Sequence, residues 1–142
     1  MTISEKEQIR KIFLQVAQAM ATKNVALFNW DEKKIDAALV LYKFSWQADS
    51  NGQIESFICY QDLGEAHEIL SLGVDPSAQN KGRMTQLLGD FCAMHKNKAL
   101  FLEVHEENEI AIALYSKLGF TLQRRRKHYY LDGKDALVLE LR

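Results

Sequence analysis

The stretch from Glu68 to Phe120 limits what this chain can fold into more than any other part of it. It reads as strand, Gly-containing turn, helix, strand, helix, with strong apolar runs on either side of turn chemistry. Asp75-Pro76 ends the strand that runs from Ala66 to Val74, because proline has no N–H to give to a ladder. The helix that starts near Gly82 carries Leu87, Leu88, Phe91, Cys92 and His95 at helical spacing. Ala99 to Val104 is a nearly continuous apolar run, as expected of a strand covered on both faces. A strand, a crossover helix and a next strand make a βαβ unit, so these two strands lie parallel. Asn108 to Leu118 is the last helix, ended by Gly119 where a left-handed residue is wanted.

The flanking segments complete a mixed sheet. Ser4-Glu5-Lys6-Glu7 fits a capping box, and Ile9, Ile12, Phe13, Val16, Ala17 and Met20 follow on one helical face. Asn24 to Trp30 is a link bearing Leu27, Phe28 and Trp30, and Asp31 opens a shorter helix with Ile35, Ala38 and Leu39. From about Tyr42 the period moves toward two, through Phe44 and Trp46. Asp49-Ser50-Asn51-Gly52 then turns the chain into a returning strand, Ile54 to Tyr60. After a polar break at Asp62 to Glu65, the strand Ala66 to Val74 makes this an antiparallel meander. Phe120 to about Lys127 and Asp135 to Leu141 read as a closing hairpin. The expected class is α/β, of mixed α+β type, with a mostly antiparallel sheet and one parallel pair in the middle.

Composition bounds the function classes. With 142 residues, 47% apolar and 26% charged, the chain is expected to form one domain, 1–142, around a single core. No apolar run reaches the length of a membrane span, and the N-terminus is too charged and too helix-periodic for a signal peptide, so the expected location is the cytoplasm. A net charge of -1 gives no general attraction to nucleic acid or acidic membranes, and any anion recognition must be local. Cys59 and Cys92 lack metal-ligand spacing and read as buried thiols. His67, His95 and His105 show no ligand pairing, so no metal site is expected.

Four places could carry chemistry. Gln79-Asn80-Lys81-Gly82-Arg83-Met84 lies between a strand end and a helix start, where free N–H groups and the macrodipole can hold a pyrophosphate. Gly82 permits close approach, and Lys81 and Arg83 add charge; the plainer reading is a turn into a surface helix. Glu103 stands near the C-terminal end of a buried-looking strand, the edge at which open α/β sheets bind ligands. Partial desolvation would raise its pKa toward that of a general base for an amine; otherwise it is a solvated strand-end carboxylate. Asn108 and Tyr115 are about two helical turns apart and share a face that begins where the Glu103 strand ends. Together they are a ligand-holding amide and a proton-donating phenol, or else an N-cap and a core aromatic. Arg124-Arg125-Arg126-Lys127-His128, followed by Tyr129-Tyr130, is a concentrated basic run that could guide an acidic or ribosomal partner or blunt a sheet edge.

Four motifs in combination, VDP-x-x-Q-x-x-G (Val74 to Gly82), LEV-x-x-x-N (Leu102 to Asn108), A-I-A-L-Y-x-x-L-G-F (Ala111 to Phe120) and RR-x-x-YY followed by DA, resemble the GNAT superfamily. These are acetyl-CoA-dependent N-acetyltransferases, and the likeness is to the branch that acetylates ribosomal-protein alanine. It is densest from Leu70 to the C-terminus. The resemblance implies a GNAT fold with helices on both faces of the sheet, and acetyl-CoA as cofactor. It further implies that Leu72, Gly73 and Val74 present backbone groups to the pantetheine arm and acetyl carbonyl, and that Asn80, Lys81, Gly82, Arg83, Met84 and Thr85 cradle the pyrophosphate. Glu103 matches the general base, Asn108 the cofactor-contacting asparagine, and Tyr115 the general acid toward the thiolate.

This sequence departs from the pattern at Met84, where a small residue is usual and the side chain adds bulk, and at Leu131, where proline is common. The first strand usual in the fold is also replaced by plainly helical sequence. The expected activity is transfer of acetyl to the α-amine of a protein N-terminus, with a ribosomal protein as the expected partner. Small-molecule amines, lysine and a non-catalytic interaction module are the alternatives, and Glu68 or His105 is the substitute base.

Overall fold

The structure, a computed structural model, describes residues 1–23 and 30–142, with the backbone alone over 19–23. Met20's side chain and most of the expected link, with Leu27 and Phe28, lie outside the described residues. Helix α1 spans Ile3–Lys23 and α2 spans Glu32–Leu41. The meander follows as β1 (Lys43–Ala48), β2 (Ile54–Asp62) and β3 (Ala66–Val74). A single turn of 3-10 helix, Pro76–Ala78, leads to α3 (Arg83–Met94), β4 (Ala99–His105), α4 (Glu109–Lys117), β5 (Thr121–Arg126) and β6 (Ala136–Leu141).

The six strands lie in the order β1-β2-β3-β4-β6-β5. Only the β3–β4 neighbours are parallel; every other pair runs antiparallel. Helices cover both faces. Leu87, Leu88 and Phe91 of α3 and Tyr115 of α4 pack with Ile58, Ile69, Leu100 and Leu102, while Ile9, Ile12 and Phe13 of α1 and Ile35 of α2 pack with Phe57 on the other side.

Two local expectations change. The capping box sits one step earlier than Ser4: Glu5 N–H donates to the Thr2 hydroxyl at 3.0 Å, and Thr2 N–H to the Glu5 carboxylate at 2.7 Å. Thr2-x-x-Glu5 offers the same reciprocal pairing as Ser4-x-x-Glu7, and using it lets the helix begin at Ile3. In β4, Leu100, Leu102 and Val104 are buried, but Phe101 and Glu103 on the alternate face are only half-buried. That face is closed by helices less completely than its apolar sequence suggests. Of the two thiols, Cys59 is buried and its pKa is pushed up to about 12 by that burial, while Cys92 is partly exposed.

Gly73 lies where the Phe57 ring and Val16 of α1 close on β3. A Cβ there would lie 2.8 Å from a ring carbon of Phe57 and 3.0 Å from a methyl of Val16, and the Phe57 ring is fully buried. Gly73→Ala is therefore expected to lower unfolding stability by about 1–3 kcal/mol, the cost of overpacking a filled site. Gly89, inside α3 with nothing near its Cβ position, is the control. Gly89→Ala should raise stability by about 0.5–1 kcal/mol, and parallel chemical denaturation curves compare the two.

Candidate active site

The site arises where two parallel strands separate. Pairing of β3 with β4 runs from Ala66↔Ala99 to Ile69↔Leu102 and stops. At that point β3 bulges: Tyr60 and Cys59 are consecutive on β2 but pair with Ile69 and Ser71, leaving Leu70 as the extra residue. A bulge bends its strand and changes which face each later side chain occupies. Accordingly Ile69 packs on the α3–α4 side and Leu70 on the α1–α2 side, while Leu72 returns to the α3–α4 side. Beyond Leu70, β3 stays with β2, and Glu103 to His105 stay with β6, so their inner edges no longer face each other in a ladder. Those edges carry backbone N–H and C=O groups that need partners.

A cleft of about 610 Å³ opens along this split and is lined from both faces of the sheet. Glu68 and Glu103 line it with Arg126, Tyr129 and Tyr130, and Asn108 and Tyr115 line it from α4. Glu103, Asn108, Tyr115 and Leu72 are thus brought together as the sequence suggested. Asn108 is also the N-cap of α4, accepting from Ala111 N–H at 3.3 Å, and its amide nitrogen remains to hold a ligand. Tyr115 is only 7% exposed, and burial, with the neighbouring Tyr130 adding to it, pushes its pKa up to about 12. The phenol therefore stays protonated across the physiological range. Burial also raises Tyr130 to about 12, with Glu103's charge contributing.

The two carboxylates differ in their partners. Glu103 takes a 2.6 Å hydrogen bond from the Arg126 guanidinium, which lies 4.2 Å over the Tyr129 ring. Glu68 has no such clamp, and its pKa is raised, first by burial and then by the charge of Glu103. His105 is excluded as a base by geometry. Its Nδ1 accepts from Glu107 N–H at 3.0 Å, so the proton sits on Nε2 and is donated to Asp132 at 2.7 Å. The imidazole instead latches the β5–β6 loop, and its ring packs 4.7 Å from Tyr130.

The phosphate segment differs in detail from its sequence reading. Asn80 and Gly82 both take left-handed conformations, φ 64° and 71°, and no side chain caps α3. Alternation of this kind turns successive N–H groups toward one concavity suited to an anion. Lys81 and Thr85 are exposed beside it. Arg83, however, turns its Nε to Glu55 at 2.6 Å, an ion pair that draws its side chain toward β2. Met84 is half-buried and packs against the core. Val74 continues the β3 edge toward this turn, and Gly73 lies against Phe57.

The sequence missed the role of Arg126. Read in its basic run it looked like surface charge, yet Arg125 reaches Glu106 and Asp135, Arg126 reaches Glu103, and Lys127 reaches Asp135. Pairing of β5 with β6, and of β6 with β4, brings these cations to the acidic strand ends. Only that register could have revealed it.

The sequence profile of the acetyltransferase (GNAT) family matches residues 8–120. The chain belongs to this family. It is 31% identical over 120 residues to the [ribosomal protein bS18]-alanine N-acetyltransferase of Escherichia coli K12, covering 80% of this chain and 81% of that one. It is also 31% identical over 97 residues to the N-alpha-acetyltransferase RimI of Mycobacterium tuberculosis, covering 65% of this chain and 61% of the relative's length. The crystal structure of the Escherichia coli ribosomal-protein-S18-alanine enzyme superposes with a TM-score of 0.79 at 28% identity, over 99% of this chain and 89% of that chain.

This acetyltransferase uses acetyl-CoA as its acyl donor. The chain's own groups fit that donor: an unpaired strand edge for an amide-bearing arm, and an uncapped helix start with two left-handed residues for a pyrophosphate. With the chain in this enzyme family and Met84 packed against the core, the reading of the chain as an interaction module unable to hold coenzyme A loses its main support. Among the described residues no helix is long and apolar enough to cross a membrane.

Proposed function

We propose that this acetyltransferase acetylates the α-amine of a protein N-terminus, of a ribosomal protein by analogy with its relatives. The observation that carries the reading is the split between β3 and β4, which opens one cleft to both faces of the sheet. Carboxylates stand on the α1–α2 side and the tyrosine on the α3–α4 side, so an amine and a thioester can approach each other from opposite faces.

Glu103 takes the proton from the acceptor ammonium, and the freed amine attacks the thioester carbonyl directly. An N–H on the β3 edge from Leu72 to Val74 receives the developing oxyanion, and the loop from Asn80 to Thr85 holds the pyrophosphate. Asn108 positions the donor's arm, and Tyr115 gives its proton to the departing sulfur and is reprotonated by the proton that the nitrogen sheds as the amide forms. No covalent enzyme intermediate is required. Glu68, unclamped and with a raised pKa, favours a second assignment in which it takes the proton and Glu103 orients the ammonium.

The acceptor class is tested by competition. An alanine-first peptide, an N-blocked peptide bearing lysine, and spermidine are offered together with acetyl-CoA, and products are read by mass spectrometry. The free α-amine should be preferred by about tenfold or more in kcat/KM. A preference for lysine or spermidine would reassign the substrate.

A further inference from the structure

Arg126 is an unusual wall for a cleft that must receive a cation. Its guanidinium sits between a carboxylate and an aromatic face, 2.6 Å from Glu103 and 4.2 Å over Tyr129. This is the surrounding that any ammonium or guanidinium ligand would seek. The contact is also monodentate and open to solvent. One nitrogen, Nη1, reaches one oxygen, the side chain is 41% exposed, and its backbone is the last residue of β5. Arg10 shows what a firmer arrangement looks like in the same protein, with Nε on Asp36 and Nη2 on Glu32, both at 2.7 Å.

We propose, resting on the functional reading above, that Arg126 is a built-in competitor for the acceptor: its guanidinium fills the Glu103–Tyr129 position that the acceptor's cation takes, and it swings toward solvent when the acceptor enters. The exchange replaces one cation with another. The cleft therefore never holds both carboxylates uncompensated, and never gathers two cations beside Glu103. Arg126 is a specificity-determining residue in this account, since an acceptor must arrive positively charged to displace it, and neutral nucleophiles are kept from Glu103.

Other charged and polar groups around this position come from several elements: Glu68 from β3, Lys34 from α2, His105 from β4, and Tyr129 and Tyr130 from the β5–β6 loop. His105 is committed to Asp132 and Glu107, so it does not compete for the cation. Glu68 feels both Glu103 and Arg126, and the guanidinium's positive charge offsets part of the rise that burial and Glu103's charge produce.

The test is steady-state kinetics of Arg126→Met and Arg126→Lys with an alanine-first peptide and acetyl-CoA across pH. Arg126→Met should lower the peptide KM by about five-fold, the worth of a half-exposed ion pair, and leave the acetyl-CoA KM in place. The acid limb of kcat/KM should move to higher pH, because Glu68 loses a neighbouring cation and holds its proton more tightly. Arg126→Lys keeps the charge, so its acid limb should stay with the wild type and its peptide KM should fall between the two. A peptide KM that rises or stays unchanged in Arg126→Met would overturn the competitor role, and Arg126→Lys decides the matter in the same way if the methionine variant does not fold. A wild-type enzyme that acetylates no peptide α-amine would remove the functional reading and this inference together, whereas a raised KM in an enzyme that does acetylate peptides removes this inference alone.

Discussion

Glu103→Gln loses about three orders of magnitude in kcat while acetyl-CoA binding stays within a factor of about two. Glutamine keeps the shape of the side chain and an oxygen for Arg126, but it has no basic carboxylate. The ammonium then keeps its proton, and a protonated amine has no lone pair with which to attack. Glu68→Gln is the matched comparison, because Glu68 lines the same cleft and has the raised pKa. With Glu103 as base, Glu68→Gln should cost about tenfold or less, through acceptor affinity. If instead Glu68→Gln is the variant that abolishes turnover and Glu103→Gln turns over normally, the base is Glu68. If Glu68 is the base, its raised pKa also sets the direction of the pH response: it works only when ionised, so activity rises with pH through that raised value and is lost below it.

Tyr115→Phe lowers kcat and kcat/KM together, by about a hundredfold, because a proton given to the departing sulfur matters only in the transition state. Among the described residues no protein group hydrogen-bonds to the Tyr115 hydroxyl, although the ring is packed with Phe120 at 5.8 Å. Removing the hydroxyl therefore keeps the packing and leaves no partner unsatisfied. Thermal unfolding should be unchanged within about 0.5 kcal/mol, which separates lost chemistry from lost fold. With the phenol's pKa raised to about 12, its loss as a donor lies far above neutrality, and an alkaline limb close to neutral pH should not come from this residue. Wild-type turnover in Tyr115→Phe would leave the thiolate to be protonated by water.

Much of this was readable in the chain because each clue was local. Period-two and period-3.6 runs placed the meander, the crossover and α4, and Pro76 and Gly119 ended elements where backbone geometry requires it. Glu103, Asn108 and Tyr115 were nameable because a strand end and the helix after it are close in sequence. What escaped depended on pairing between distant strands. The bulge at Leu70 has no glycine or proline to announce it; it exists because β2 and β3 slip by one residue between Tyr60 and Cys59. Arg126 looked like one cation among four until β5 was placed beside β6 and β6 beside β4. Arg83 and Met84 were read by residue type alone, and their side chains turned out to serve Glu55 and the core. The cap at Thr2 was missed between two equally good motifs.

Donor and acceptor are expected to meet in the gap between β3 and β4, one from each face. Titration calorimetry with a conjugate joining an alanine-first peptide to coenzyme A through its α-nitrogen and an acetyl bridge tests this most directly, with coenzyme A and the free peptide as references. Spanning both halves of the cleft, the conjugate should bind at least about a hundredfold more tightly than coenzyme A, and Glu103→Gln should reduce that advantage. A conjugate that binds no better than coenzyme A alone would mean that the peptide does not enter from the Glu103 side, and the proposed arrangement would be wrong.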